Sequence, residues 1–193
     1  MSVITPKRLL LHNGELVTIR NPSRNDASGF VEIMRGVASE GRYTLADADE
    51  VNWTIPMKRA DIDEHNQMPG YLALVAESRG IPVGFLEFEN GSRRRTQHVG
   101  IFSLFVQRDW RGNGIGSMLI ETLLDWAGKH PVIEKVTLEV LATNTRAIAI
   151  YEKYGFQVEG RCYRDIKVGD IYVDSLLMYK FVKSLSVGGK NES

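Results

Sequence analysis

The segment from Val106 to Ala127, VQRDWRGNGIGSMLIETLLDWA, joins an apolar run typical of a strand to an apolar pattern with helical spacing. Three alternating glycines lie between them: Gly112, Gly114 and Gly116. Because glycine weakens both strands and helices, its use here indicates a backbone conformation or a close approach that other residues do not allow. The N-terminus of a helix presents free N–H groups that bind anions, so the segment predicts a phosphate-binding turn.

Two common phosphate-binding loops do not fit this turn. A Walker A loop has a lysine after its last glycine, whereas Ser117 follows Gly116 here. A dinucleotide-binding G-x-G-x-x-G pattern counted from Gly112 places Ser117 at the third glycine, and the next strand ends at Asn144 instead of an acidic residue. What stands in the sequence is R-x-x-G-x-G, beginning at Arg111. A turn that only connects the two elements is the alternative.

Composition limits the partners and the compartment. The chain has 193 residues, and 24 Lys and Arg balance 24 Asp and Glu, so no net charge attracts nucleic acid. No apolar run reaches the ~18 residues of a membrane span, and the N-terminus has no export signal. The single cysteine, Cys162, excludes an intrachain disulfide and is typical of a reducing compartment. We therefore expect a cytoplasmic protein without a nucleic-acid or membrane partner.

The pattern of elements along the chain predicts the fold class. In order, it indicates a strand, a helical region, three strands in an antiparallel meander, a helix, a strand, a helix and two strands. This order predicts a mixed α/β (α+β) domain with one central, mostly antiparallel mixed sheet of about six to seven strands flanked by helices. One domain is expected over residues 1–185, with a disordered tail at residues 186–193. The polar residues 40–68 predict only a short helix or two with loops.

A second motif, NTRAIAIYEKYGF, occupies residues 144–156. Asn144 is suited to cap its helix and Gly155 to end it. Together with R-x-x-G-x-G, and in the right order and spacing, the pattern N-x-x-A-x-x-x-Y-x-x-x-G-F resembles the GNAT superfamily of acetyl-CoA-dependent N-acetyltransferases. The resemblance covers residues 16–182, which is nearly the whole chain.

This resemblance implies a site for acetyl-CoA as a co-substrate, without a metal ion. Main-chain groups of the strand before the turn would pair with the pantetheine arm and polarise the acetyl carbonyl. N–H groups of the turn would hold the diphosphate, and Arg111 would add a charge-assisted contact. The residues that the resemblance implies as cofactor-binding are Leu104, Phe105, Val106, Arg111, Gly112, Asn113, Gly114, Ile115, Gly116, Ser117 and Asn144.

Tyr151 is the expected catalytic residue. A phenol with a reference pKa of ~10 stays protonated at neutral pH and can donate a proton to the departing CoA thiolate. At ~100° per residue, Asn144 and Tyr151 fall on nearly the same helix face, whereas Tyr154 lies about 80° from Asn144 and suits the role less well. Spacing alone leaves open a core-facing aromatic for Tyr151 and a plain N-cap for Asn144.

The general base stays open between Glu87, His98 and a chain of water molecules. Each of the two side chains is also a candidate structural polar residue. The acceptor is expected to be a primary amine: a free amino acid, a small amine or a peptide N-terminus. This expectation comes from the final segment, where Glu159-Gly160 and the YVD of residues 172–174 resemble the branch of the superfamily that acts on amino acids or protein N-termini.

Within that final segment, Tyr172 or Asp174 is a candidate contact for the substrate amine, and an ordinary strand role is the alternative. Two other functions also stay open. One is a non-catalytic acyl-CoA-binding or sensing protein of the same fold, and the other is a nucleotide-binding protein that uses the glycine turn. At family level the resemblance also suggests a homodimer.

Overall fold

The structure, a computed structural model, describes residues 3–12 and 14–183, so the tail predicted at residues 186–193 lies outside the described residues. The strands are β1 (Lys7–Leu10), β2 (Leu16–Arg20), β3 (Leu72–Ser78), β4 (Ile81–Asn90), β5 (Val99–Val106), β6 (Lys135–Leu141), β7 (Gln157–Val168) and β8 (Ile171–Phe181). The helices are α1 (Ala27–Ser39), α2 (Ile55–His65), α3 (Ile115–Lys129) and α4 (Thr145–Lys153). Short 3-10 turns span Arg24–Asp26 and Arg108–Trp110.

All eight strands form one sheet in the order β1-β2-β3-β4-β5-β6-β8-β7. Every neighbouring pair is antiparallel except β5 and β6, which confirms the predicted mostly antiparallel mixed sheet. The predicted count of six to seven strands was low by the short edge strand β1, in which Lys7 pairs with Ile19 of β2. Its four residues, KRLL, are too few to show a strand period in the sequence.

Helices cover both faces of the sheet. On one face, α1 buries Phe30, Ile33 and Val37 against Val75 and Phe85 of the central strands. On the other face, the apolar side of α3 packs against a separate set of strand residues, and α4 lies at the edge of the same core. The central strands β3, β4 and β5 are therefore held between two layers of helices, which makes them a rigid base for a site.

The boundaries of α4 follow from local sequence, as predicted. The side chain of Asn144 caps the helix by accepting a hydrogen bond from the N–H of Ala147 at 3.3 Å. Gly155 follows the last turn with φ +81°, a conformation that other residues rarely adopt. The predicted helix therefore begins and ends where its capping residues indicate.

Within residues 40–68, the structure has one helix, α2. Thr54 caps it by accepting from the N–H of Met57 at 3.3 Å, and its buried residues are Lys58 and Ile62. In the segment before α2, Val51 packs into the buried cluster that α1 forms with Phe85 of the sheet. Because α2 has no apolar stripe, the sequence could not define its limits.

No helix among the described residues is both long and apolar enough to span a membrane.

Candidate functional site

A gap opens in the sheet between β5 and β6. Their parallel pairing covers only three residue pairs, from Val99 with Lys135 to Ile101 with Thr137. Beyond Ile101, β5 continues to pair with β4 as far as Val106, and β6 continues to pair with β8. Among the described strands, none pairs with the β6-facing edge of β5 over residues 102–106, so main-chain groups there, apart from the Val106 carbonyl that accepts from Arg111, are open to an extended ligand.

The predicted residues Leu104, Phe105 and Val106 lie in this stretch of β5, where Leu104 and Val106 direct their main-chain groups to the gap and Phe105 directs its own to β4. The side chains of Leu104 and Val106 pack toward the α3 core, and that of Phe105 packs toward the α1 core. The rings of Phe105 and Phe85 lie 5.2 Å apart between centroids. The side chains thus fix the strand from both faces and leave its main-chain edge for contacts within the gap.

The glycine turn follows directly, and two of its glycines need their special backbone. Gly112 has φ +89°, and Gly114 has φ +87° at the N-cap of α3. The first helical bond runs from the N–H of Met118 to the carbonyl of Gly114 at 3.0 Å. By contrast, a Cβ on Gly116 would meet Leu104 at an ordinary 3.7 Å. Gly112 and Gly114 therefore set the shape of the turn.

The turn leaves a run of main-chain donors without acceptors. Within the described residues, no hydrogen bond is made by the N–H groups of residues 112–117. They stand at the N-terminus of the 15-residue helix α3, where the helix dipole adds positive potential. This donor set suits the oxygens of a diphosphate, as the sequence predicts for Gly112, Asn113, Gly114, Ile115, Gly116 and Ser117.

The side chain of Arg111 is engaged inside the protein. Its Nη1 and Nη2 donate to the two carboxylate oxygens of Glu40 at 2.6 and 2.7 Å, and its Nε donates to the carbonyl of Val106 at 2.8 Å. The hydrogen bonds from Arg111 hold the pKa of Glu40 below its usual range despite partial burial. The guanidinium is thus directed at Glu40, and its predicted contact with a diphosphate stays a prediction.

Helix α4 packs at the edge of the α3 core and reaches the site at two points, the glycine turn and Phe102 of β5. Near its start, Nη2 of Arg146 comes within 3.1 Å of the position that a Cβ on Gly112 would occupy. Arg146 is exposed and makes no ion pair or hydrogen bond within the part of the chain described here. Arg146 was not among the residues predicted from the sequence, although its place two residues after Asn144, in the first turn of the predicted helix, was a usable signal.

Five residues after Arg146 on α4, Tyr151 faces the point where the gap begins. Its ring lies edge-on to Phe102, with centroids 5.9 Å apart, and also contacts Phe156 at 6.0 Å. Burial raises the pKa of Tyr151 to about 12. Its hydroxyl makes no hydrogen bond to any of the described residues. Tyr151 is therefore a protonated phenol with a free donor, packed against the first strand residue that β6 no longer covers.

Of the two side chains considered as a base, Glu87 lies closer to the gap. It pairs in register with Ser103 of β5, one residue beyond Phe102. Its carboxylate accepts from the buried Nζ of Lys58 at 2.7 Å, and Lys58 also binds Asp61 at 2.6 Å. Glu87 is thus a charged group, held in place at the strand next to the gap.

His98 lies at the closed end of the β5–β6 pair. Its carbonyl accepts from the N–H groups of Glu134 and Lys135 at 2.8 and 3.0 Å. With Thr137, it lines a cavity of about 460 Å³ at the start of β5. At ~3.3 Å per residue, the four residues from His98 to Phe102 place its backbone roughly 13 Å from the start of the gap.

Asp174 has a structural role in the β7–β8 hairpin. Its carboxylate accepts from the N–H of Arg164 at 2.8 Å and from Nε of Arg161 at 2.8 Å, and these bonds lower its pKa. They stabilise a bulge in β7 between Cys162 and Ile166, where Arg164 has φ +54°. Both carboxylate oxygens of Asp174 are therefore used in hydrogen bonds to this bulge.

Tyr172, the other candidate for a substrate contact in this hairpin, is exposed beside Lys167. The described residues also contain no group of three or more His, Cys, Asp or Glu side chains arranged to hold a metal ion.

Comparison with known proteins gives the family. The model of the acetyltransferase (GNAT) family matches residues 40–156, which is more than half of the chain. An L-amino acid N-acetyltransferase of Escherichia coli is 32% identical over 110 residues, covering 57% of this chain and 68% of that protein. A peptidyl-lysine N-acetyltransferase of Salmonella typhimurium is 38% identical over 146 residues, covering 76% of this chain and 87% of that protein.

Solved structures agree with this relationship. A GNAT-family acetyltransferase from Streptococcus pneumoniae superposes with a TM-score of 0.82 at 25% identity, covering 86% of this chain and 99% of that chain. A phosphinothricin acetyltransferase from Sinorhizobium meliloti in complex with acetyl-CoA shares the fold, with a TM-score of 0.75 at 18% identity over 86% of this chain and 88% of that chain. The family match, the relatives and the gap with its glycine turn lead to one conclusion: the chain belongs to the GNAT family and is an N-acetyltransferase that uses acetyl-CoA.

Proposed function

We propose that this enzyme transfers the acetyl group of acetyl-CoA directly to a primary amine, with Tyr151 as the general acid. The observation that carries this proposal is that α4 reaches the site at two points. Its first turn brings Arg146 to Gly112, and its second brings Tyr151 to Phe102. A ligand that is anchored at the glycine turn and extends along β5 would therefore end beside the free phenol.

The binding of acetyl-CoA follows from the donors along this path. The free N–H groups of residues 112–117 hold the diphosphate, and the unpaired guanidinium of Arg146 adds charge beside it. The gap-facing main-chain groups between Leu104 and Val106, apart from the Val106 carbonyl that Arg111 holds, pair with the amide-bearing pantetheine arm and polarise the acetyl carbonyl. Asn144 contributes by fixing the start of α4 next to the site.

The chemistry requires one proton donor and one proton acceptor. When bound, acetyl-CoA supplies a thioester already activated for acyl transfer: the amine nitrogen forms a C–N bond to the carbonyl carbon, and the C–S bond breaks. The phenol of Tyr151, with its pKa near 12, is protonated at neutral pH and donates to the departing sulfur. Because amines are largely protonated at pH 7, a base must also remove a proton before attack.

We assign that base to Glu87, either directly or through water. Its register with Ser103 supports this choice over His98, whose backbone lies roughly 13 Å from the gap by strand rise. The ammonium of Lys58 keeps the Glu87 carboxylate oriented from the α2 side. A carboxylate held in this way can accept the amine proton without moving far.

Relatives support a primary-amine acceptor. One relative is named for L-amino acids and another for peptidyl-lysine, and an aminoglycoside N(6')-acetyltransferase of Klebsiella pneumoniae is 25% identical over 168 residues, covering 81% of this chain and 82% of that protein. Free amino acids, small amines and peptide N-termini are the acceptor classes that we propose to test first.

The direct test is thiol release from acetyl-CoA in the presence of matched acceptors. Short peptides with free and with blocked N-termini should be compared with single amino acids, a polyamine and an aminoglycoside. The proposal predicts release above background with at least one free amine and none with its blocked counterpart. CoA binding without release across the panel would instead favour a non-catalytic acyl-CoA-binding protein. Sedimentation at working concentration tests the homodimer, which stays a prediction.

A further inference from the structure

Glu40 is joined to the glycine turn across a long stretch of sequence. It caps the C-terminus of α1 and lies 71 residues before Arg111, yet both of its carboxylate oxygens accept from that guanidinium at 2.6 and 2.7 Å. Both side chains are mostly shielded, with 20% and 27% exposed, respectively. A two-bond fork between arginine and carboxylate fixes the direction as well as the distance of the contact.

The third contact of Arg111 places it at a junction. Its Nε donates to the carbonyl of Val106, the last residue of β5. One guanidinium therefore ties together the free strand edge, the glycine turn and the end of α1. The turn needs such a tie because Gly112 and Gly114 leave its backbone with more conformational freedom than other residues would.

We propose that Glu40 is a positioning residue for acetyl-CoA binding, which acts through Arg111 to hold the N–H groups of residues 112–117 in their binding arrangement. This inference rests on the function proposed above. Because the turn already has the conformation that binds the diphosphate, it loses less conformational entropy when the diphosphate binds. Glu40 itself stays on the α1 side of Arg111 and does not contact the ligand.

If Glu40 acts only through its charge, its removal should change CoA affinity in the opposite direction from the change that a positioning role predicts. The arginines facing its carboxylate are Arg111, Arg108 and Arg42. If charge alone mattered, removing the anion would leave these cations uncompensated and would tighten the binding of anionic CoA. If position matters, removal loosens the turn and weakens binding. The sign of the change therefore separates the two roles.

The experiment measures CoA affinity by calorimetry for Glu40→Gln, Glu40→Asp, Arg111→Lys and the double variant Glu40→Gln/Arg111→Lys. Glu159→Gln is the matched control, because it also loses an ion pair, but one with Lys135 at the closed end of the β5–β6 pair, away from the glycine turn. We expect each single variant to raise the Kd about five- to tenfold. Glu40→Asp belongs with them, since it keeps the charge but loses the reach needed for the two-bond fork.

Further readouts separate positioning from a merely structural role. The double variant should bind CoA no more weakly than either Glu40→Gln or Arg111→Lys, because both remove the same contact. In turnover, KM for acetyl-CoA should rise while kcat at saturation stays within about twofold. A lower melting temperature with an unchanged Kd, a tighter Kd for Glu40→Gln, or additive losses in the double variant would each overturn the proposal.

Failure of the proposed function would look different. CoA binding is measured without an acceptor, so it reports on Glu40 even if no amine in the panel is acetylated. Absence of CoA binding by the unmodified protein would overturn both the function and the role of Glu40. Normal CoA binding that does not change when Glu40 is substituted would overturn only the positioning role of Glu40.

Discussion

Tyr151 of α4 lies edge-on to Phe102 of β5, with the two ring centroids 5.9 Å apart. Phe102 is the first residue of β5 that no longer pairs with β6. This contact places the phenol at the point where the sheet opens, and it sets the geometry on which the proposed chemistry depends.

The glycine turn gives a prediction with an internal control. Gly114→Ala forces a left-handed conformation on a residue with a Cβ, which costs about 1–2 kcal/mol in stability or in distortion of the turn. We therefore expect about tenfold weaker CoA binding, measured by calorimetry. Gly116→Ala has ordinary space toward Leu104 and should bind within about threefold of the unmodified protein. Equal losses in the two variants would contradict the account.

Substitution of Glu87 tests the proposed base. Glu87→Gln should lower kcat/KM for the acceptor about 100-fold at neutral pH, because only the neutral fraction of the amine can then react. That fraction rises about tenfold per pH unit below the amine's own pKa, so activity should recover as the pH is raised toward it. Glu89→Gln, two residues along the same strand, is the control. A pH-independent loss in Glu87→Gln would exclude its role as a base.

Lys58 is predicted to hold α2 to the sheet. Lys58→Met leaves Glu87 and Asp61 without their cation, and we expect a loss of about 3 kcal/mol in the free energy of unfolding, measured with urea. The double variant Lys58→Met/Glu87→Gln should be more stable than Lys58→Met, because it no longer contains the carboxylate of Glu87 without a cation beside it. If the double variant were less stable than Lys58→Met, the ion pair would not be the main contribution of Lys58.

Asp174 gives a prediction about acid stability. Its pKa in the folded protein lies below the value of the unfolded chain, chiefly because the N–H of Arg164 donates to it. A lowered folded pKa contributes stability above the unfolded value of about 3.9, and this contribution disappears as the pH falls through the folded pKa. Asp174→Asn should therefore be less stable than the unmodified protein at pH 7 and equal to it at the acid limit. A difference in melting temperature that does not change with pH would show that the charge is not responsible.

Local chemistry explains which parts of the fold the sequence predicts. Asn144 and Gly155 bound α4 because an N-cap and a left-handed C-terminal residue act within a few residues of the chain. The glycine turn is recognisable for the same reason, since Gly112 and Gly114 need positive φ angles. These signals require no knowledge of distant partners.

The remaining features depend on contacts between distant segments. The ion pair of Arg111 with Glu40 joins residues 71 positions apart and has no signal in the sequence, while the predicted contact of Arg111 with a phosphate stays a prediction. The position of the gap depends on how far β5 and β6 stay paired, which no residue pattern specifies. Helix α2 was poorly defined because it packs through an ion pair of Lys58, and helical periodicity detects only apolar packing.

Tyr151 is the proposed donor of the proton to the leaving sulfur, and the rest of the proposed chemistry depends on it. Tyr151→Phe keeps the ring that packs on Phe102 and removes only the hydroxyl, so CoA affinity should stay within about twofold. The decisive measurement is single-turnover acetyl transfer to the best acceptor by Tyr151→Phe and by the unmodified protein. We predict that the variant reacts at least about 100-fold more slowly. An unchanged rate of acetyl transfer would contradict the assignment of Tyr151 as the acid.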